Sequence, residues 1–181
     1  MSAVINDRYT AKMDQPFVVF LVGARINKPL QFRKWGLVVN AFPEMLKSLY
    51  AHPEKGFLGG ENFFRAFPIA SVLISYWRSF EDLERFARAK DDAHLPAWRR
   101  FNKEIGYDGS VGVWHETYMV QPQAQEALYA NMPLFGLAKA TGQSIPVRSG
   151  YRNDARGRMK GENVEPLPDS LRVEEYISQA H

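Results

Sequence analysis

Three short apolar segments, separated by amphipathic stretches, constrain the fold of this chain more than any other feature. Residues 17–24, 69–77 and 111–120 are rich in β-branched and aromatic side chains, which favour strands. Residues 17–24 are apolar throughout, which predicts a central strand covered on both faces. A weaker aromatic segment at 57–67 predicts a fourth strand.

Helical patterns lie between these strands. Over residues 32–50 apolar side chains recur at spacings of three and four, and Pro43 is expected to kink or divide that helix. Ser79 followed by Asp82 resembles a capping box that begins a second helix, and a further helical segment follows a break at Pro96. The order strand, helix, strand, strand, helix, strand predicts an α+β, ferredoxin-like fold with both helices on one face of the sheet.

The other face of that sheet also needs cover. Alternate residues such as Phe17, Val19 and Leu21 would leave an apolar patch of the kind found at interfaces. A two-fold homodimer that closes sheet on sheet, as a dimeric α/β barrel, would bury the patch.

The chain divides into three parts. Residues 1–15 form an N-terminal extension, and residues 16–140 form the ferredoxin-like domain, with a short edge strand expected at 127–132. Residues 141–181 combine proline, glycine and mixed charges with few core-forming side chains, which predicts an extended C-terminal arm or tail.

Composition excludes several classes of protein. With no cysteine, the chain has no disulfide, thiolate metal site or cysteine nucleophile. Its 23 basic and 20 acidic residues give a net charge of +3, and acidic residues interrupt the basic stretch at 148–160, so nucleic-acid binding is not expected. The longest apolar run has eight residues, against roughly 20 for a membrane span, and the N-terminus lacks a signal-peptide core. We therefore expect a cytoplasmic protein without membrane association.

Several stretches resemble one family of bacterial and fungal proteins. They read VGARINKP at 22–29, HLPAWRRFN at 94–102 and GVWHETY at 112–118, with shorter matches at 50–53, 56–59, 76–83 and 131–136. Together they resemble the domain of unknown function 4188 family, described as monooxygenase-like, over roughly residues 16–140. The resemblance implies the dimeric α/β-barrel superfamily, which includes cofactor-free quinone-forming monooxygenases, haem-dependent aldoxime dehydratases, chlorite dismutases and dye-decolourising peroxidases.

His115 is the first candidate for chemistry. An imidazole between Trp114 and Tyr118 on a strand can serve as an acid, a base or an axial ligand of haem iron; the alternative is a buried histidine bonded to a neighbour. Arg25, at the end of a strand, can hold a carboxylate, a haem propionate or an anionic substrate, or else form a capping or interface salt bridge. Asn27 shares its face.

Further candidates are aromatic residues and a second histidine. Trp77, Trp114 and Tyr118 are predicted to line a substrate pocket, although strand aromatics such as Trp77 more often pack in the core. His94 lies at a helix break, where it can overhang a cavity or simply cap the helix. The sequence lacks His-x-x-x-His, Glu-x-x-His, Gly-x-Ser-x-Gly and phosphate-loop patterns, which disfavours zinc, di-iron, serine-hydrolase and nucleotide sites.

These residues and the resemblance predict a small-molecule enzyme with a pocket between sheet and helices. It is expected to be monooxygenase-like or haem-dependent, either an oxidoreductase or an aldoxime-dehydratase-like lyase. His115 is the expected iron ligand or acid/base group, and Arg25 the anion clamp. Without haem no cofactor is expected, and a phenol-like substrate must supply the electrons. The alternative is a non-catalytic dimeric module that binds haem or a hydrophobic ligand.

Overall fold

A four-stranded antiparallel sheet organises the molecule. The computed structural model describes residues 3–89 and 94–162. Its strands are β1 (Ile5–Thr10), β2 (Phe17–Ile26), β3 (Phe57–Arg65), β4 (Ala70–Trp77), β5 (Val111–Val120), β6 (Tyr129–Met132) and β7 (Ile145–Pro146). Its α-helices are α1 (Phe32–Ala51), α2 (Phe80–Arg88), α3 (His94–Glu104), α4 (Gly136–Thr141) and α5 (Ala155–Lys160), with 3₁₀ turns at Pro53–Lys55 and Gly150–Asn153.

The strand order of this sheet is β3-β4-β2-β5, and every neighbouring pair is antiparallel. Along the chain, α1 lies between β2 and β3, and α2 and α3 lie between β4 and β5. This is the ferredoxin-like arrangement. The predicted α+β fold is confirmed. β2 pairs on both sides, as its continuous apolar sequence predicted, whereas β3 and β5 are edge strands; the chain by itself does not close a barrel.

The helix side of the sheet, which packs against α1, α2 and α3, carries two separate apolar clusters. The first contains six buried residues, with Phe20, Met45 and Leu46 packed against it: Val18, Leu49, Phe57, Trp77, Leu83 and Phe86. The second is built on Ile26, Ile105 and Val111, with Ala24, Trp35, Val38, Ile69 and Phe101 packed against it. Even-numbered residues of β2 therefore face the helices, since successive strand residues point to opposite faces.

The opposite face, which we call the open side, is partly covered by a second sheet of order β6-β1-β7 and by α4. Tyr9 and Ala11, from the chain around β1, and Leu137 and Ala138 of α4 form a cluster with Phe17 of β2. The strand expected near 127–132 exists as β6, but it pairs with β1 instead of extending the four-stranded sheet.

Helix α1 and the predicted C-terminal arm each need a separate description. α1 is one helix of 20 residues that contains the exposed Pro43, so the helix is not divided there. Within the expected C-terminal arm, β7 pairs with β1, and Arg158 of α5 donates to Glu126 Oε1 at 2.6 Å. Residues 163–181 of that arm lie outside the described residues.

Candidate functional site

The edge strand β5 presents most of its side chains to the surroundings. It pairs only with β2, and every residue from Val113 to Met119 is exposed. Side chains on both of its faces are therefore available to a ligand or a partner.

His115 lies on the helix side of β5. It is opposite Val22 in the strand pairing, and the centre of its ring is 5.7 Å from the centre of the Phe20 ring. Within the described residues the imidazole has no hydrogen bond and no ion pair, so the structure does not contain the buried, bonded histidine considered as the alternative. No group in the described part of the chain occupies either ring nitrogen, so each can transfer a proton or bind a metal.

The surface beside His115 is apolar and lies between the two helix-side clusters. Phe20 packs against one cluster and Ala24 against the other, whereas the half-buried Val22 between them belongs to neither. On β5 itself, the exposed side chains of Val113 and Thr117 flank His115 on the same face, and Met119 lies one position beyond Thr117. His115 thus lies on an edge strand, beside an apolar region on the helix side of the sheet.

Arg25 and Asn27 lie elsewhere. Arg25 is paired with Ala70 and Gly112 and points to the open side, because it is an odd-numbered residue of β2. Arg25 and Asn27 both line a cavity of about 530 Å³ at the end of the sheet. His115 does not line this cavity, so the structure does not bring the two expected catalytic residues into one pocket.

The three aromatic candidates also lie in different parts of the structure. Trp77 is 2 % exposed and donates from Nε1 to Ser75 Oγ at 3.0 Å, so it packs in the core, the commoner alternative. Trp114 and Tyr118, 42 % and 51 % exposed, lie on the open side. The Tyr118 hydroxyl donates to Glu116 Oε2 at 2.6 Å, and this carboxylate raises the pKa of Tyr118.

The indole of Trp114 depends on a glycine in the neighbouring strand. A Cβ atom on Gly23 would lie 2.5 Å from Trp114 Nε1 and 2.8 Å from the backbone oxygen of Ser71. The absence of a side chain at Gly23 lets the indole lie flat on β2. This pairing was not visible in the sequence, because it depends on the register between β2 and β5.

A pair of half-buried tyrosines on the open side was also missed. The hydroxyls of Tyr76 and Tyr129 both lie beside Gly136, at 3.2 and 3.3 Å from the position of a Cβ atom there. Burial raises the pKa of Tyr76 to about 12 and also raises the pKa of Tyr129. No local pattern signals this group, since its members come from separate elements; its contacts hold α4 against the sheet.

The remaining expectations concern metals and membranes. His94 begins α3, but its side chain lies outside the described part of the structure. Among residues 3–89 and 94–162, no three histidine or carboxylate side chains form a group that could hold a metal ion. No helix within these ranges is long and apolar enough to cross a bilayer.

Haem requires fewer protein ligands than a metal ion held by several side chains. It needs one axial ligand and apolar walls. The free imidazole of His115, beside Phe20 and Val22, meets the ligand requirement, so the residues present fit a haem held by a single histidine.

The comparisons with known proteins agree with this architecture. The chain belongs to the monooxygenase af470-like family, which matches residues 17–137. The expected monooxygenase-like resemblance is thereby confirmed, although the name domain of unknown function 4188 is not. No curated protein sequence matches the chain significantly.

Two aldoxime dehydratases of known structure have the same fold at low identity. An aldoxime dehydratase in complex with butyraldoxime is 15 % identical, with a TM-score of 0.59 over 73 % of this chain and 41 % of that one. A second aldoxime dehydratase is 17 % identical, with a TM-score of 0.58 over 73 % and 42 %. A cofactor-independent oxygenase from Streptomyces nogalater is 13 % identical, with a TM-score of 0.38 over 61 % and 95 %. The chain therefore spans about two fifths of the length of the aldoxime dehydratases.

Proposed function

We propose that this protein is an enzyme that oxidises an apolar, phenol-like small molecule, with His115 as the general base. The observation that carries the proposal is the exposed, unpaired imidazole of His115 beside Phe20 and Val22. A base needs a free ring nitrogen within reach of the proton that it removes. The apolar residues around it provide a surface on which an aromatic ring can pack.

The reaction balances without any other redox group. His115 accepts the proton of the substrate hydroxyl, and the resulting phenolate supplies the electron pair that bonds a ring carbon to dioxygen. The bond forms at a ring carbon that carries hydrogen, and the protonated His115 returns its proton to the outer oxygen of the peroxide. The O–O bond then breaks as the ring carbon loses its hydrogen as a proton, which releases water and leaves a carbonyl, so one oxygen atom enters the product and the other enters water.

The same imidazole supports a second candidate function, that of a haem protein. His115 would hold the iron through one ring nitrogen, and Phe20 and Val22 would contact the porphyrin. Haem would supply the redox or Lewis-acid chemistry of a peroxidase or an aldoxime dehydratase.

Replacement of His115 tests both candidates. In the purified protein, oxygen uptake is measured with a panel of phenols and hydroxynaphthalenes, and the visible spectrum is recorded during titration with hemin. His115→Ala is expected to lower the rate of oxygen uptake about 100-fold or more, as loss of a general base does. A saturable Soret band that is lost in the variant would instead assign His115 as a haem ligand.

His52→Ala is the matched control, because His52 is an exposed histidine whose only charged partner among the described residues is Glu54, at 2.9 Å. It should behave as the wild type in both assays. Turnover that His115→Ala leaves unchanged would refute the assignment of the base. Absence of both oxygen uptake and a Soret band would contradict the enzyme proposal and favour a binding module.

We also propose that the protein is a homodimer assembled through the open side. Leu21, Val72 and Ile74 are half-buried at the middle of this face, and Phe63 and Trp114 are exposed beside them. The second sheet and α4 cover only the end near Tyr76. A second copy related by a two-fold axis would present the same apolar residues and bury them.

A further inference from the structure

We propose that the cavity at Arg25 binds an aryl carboxylate, and that this site is separate from His115. The cavity, of about 530 Å³, lies where β2 ends and the turn between β3 and β4 passes over it. It combines one cation, one carboxamide and an apolar rim. The inference goes beyond the proposed function, since nothing in it depends on the chemistry at His115.

Arg25 provides the charge. It is exposed, and within the described residues its guanidinium has no hydrogen bond and no ion pair. Arg65, which lies on the same side of the sheet with Ala70 between them, differs, because its Nε donates to the carbonyl oxygen of Pro68 at 3.2 Å. A free guanidinium offers paired N–H donors whose geometry matches the two oxygens of a carboxylate.

Asn27 provides a neutral polar group on a fixed backbone. Its amide N–H donates to the carbonyl oxygen of Ser110 at 2.9 Å, and the preceding residue, Ile26, donates to Ile69 O at 2.9 Å. The Nδ2 atom of Asn27 lies 3.5 Å from the position of a Cβ atom on Gly112, so the lack of a side chain there leaves the carboxamide room. This carboxamide has no partner within the described residues and can donate to a ligand oxygen.

The rim of the cavity selects an aromatic ligand. Phe67, at the turn between β3 and β4, is 90 % exposed and lines the cavity together with Pro29 and Pro68. An exposed phenyl ring beside two prolines offers flat apolar surfaces to an aryl group, while Arg25 holds its carboxylate. This combination distinguishes the site from a general anion site, which would need no apolar rim.

Calorimetric titration tests the proposal, with benzoate and 3-phenylpropionate as probes and benzyl alcohol as the neutral counterpart. The two carboxylates are expected to bind saturably, and benzyl alcohol about tenfold or more weakly, because it cannot form a charge-assisted pair. Arg25→Gln should weaken binding of the carboxylates by a similar factor. Arg25→Lys, which keeps the charge but loses the paired donors, should fall between Arg25→Gln and the wild type.

Two controls locate the effect. Arg99→Gln removes an exposed cation of α3 that does not line the cavity, and His115→Ala removes the proposed base; both should bind the carboxylates as the wild type does. Unchanged binding in Arg25→Gln, equal binding of benzyl alcohol, or no saturable binding of either carboxylate would overturn the proposal. Sedimentation of Arg25→Gln as a monomer beside a dimeric wild type would also overturn it, since Arg25 would then be a contact between copies. Because His115→Ala enters as a control, failure of this site and failure of the proposed function are distinguishable.

Discussion

Asp82 shows how one buried charge positions the elements around the sheet. Its backbone N–H donates to Ser79 Oγ at 3.1 Å, which caps α2 as the sequence predicted. Its carboxylate accepts hydrogen bonds from Arg78 Nε at 2.8 Å and from Arg85 Nη1 at 2.7 Å. The hydrogen bond from Arg78, followed by that from Arg85, lowers the pKa of Asp82. A Cβ atom on Gly56 would lie 2.3 Å from Asp82 Oδ2, so only glycine fits there.

Asp82→Asn is expected to destabilise the protein by about 1–2 kcal/mol at neutral pH, because it removes the charge from two hydrogen bonds whose arginine partners are largely exposed. Since folding lowers the pKa of Asp82, its contribution is present above the unfolded pKa, about 3.9, and is lost as the pH falls through the lower folded value. The free energy of unfolding, measured with urea at pH 7 and at pH 3, should therefore fall less between these two pH values in Asp82→Asn than in the wild type. Asp14→Asn, at an exposed ion pair with Lys12, should change little; an equal effect there would contradict this account.

At the scale of elements, α4 depends on its anchorage to the sheet. It has six residues, too few for a stable isolated helix. Tyr129 accepts a hydrogen bond from the backbone N–H of Ala138 at 3.4 Å and stacks on Tyr9 with ring centres 4.9 Å apart. Tyr76 lies beside Gly136 at the start of the helix. The contacts of these two half-buried tyrosines hold α4 on the open side.

Alkaline pH should loosen this attachment. Burial raises the pKa of Tyr76 from 10.0 to about 12, so the folded state keeps the phenolic proton longer than the unfolded state does. The stabilisation is full below the unfolded pKa and is lost as the pH rises from about 10 to about 12. The unfolding temperature measured across this range should fall less steeply in Tyr76→Phe.

Tyr107→Phe is the control for the alkaline transition, because Tyr107 is fully exposed. It should follow the wild-type curve. If Tyr76→Phe and the wild type lost stability in parallel above pH 10, Tyr76 would not be the titrating group.

At the scale of the whole molecule, the proposed homodimer depends on the open side. Its apolar residues lie on strands from distant parts of the chain and meet only in the folded sheet. The proposed two-fold contact would bury Leu21, Val72 and Ile74 together with the exposed rings of Phe63 and Trp114. Burial of such a surface is the main favourable contribution to association.

Ile74→Glu is expected to convert a dimer into a monomer, because it places a charge at the centre of the apolar surface, where pairing would desolvate it. Sedimentation velocity at micromolar concentration measures the change against the 20.7 kDa mass of one chain. Met119→Glu, on the exposed helix side of β5, is the matched control and should sediment as the wild type. A wild type that is monomeric, or an Ile74→Glu protein that remains dimeric, would rule out this interface.

Much of the fold could be predicted from local patterns. Continuous apolar sequence marked β2 as central, alternation separated His115 from Glu116 along β5, and Ser79 with Asp82 marked the start of α2. Each of these signals depends on neighbouring residues, whose periodicity is set by the geometry of a strand or a helix. The monooxygenase-like family was likewise recognisable from short motifs.

The sequence by itself therefore determined the four strands of the main sheet, the helices packed on them, and which residues of one strand share a face. It did not indicate β1, α4, β7 or α5. Only the tertiary structure decided that Val22 lies opposite His115, that Arg25 points away from it, and that Tyr9 of β1 pairs with Tyr129 of β6. The physical reason is that register joins residues about 100 positions apart through backbone hydrogen bonds and shared burial. A shift of one residue would turn every side chain of a strand to the other face.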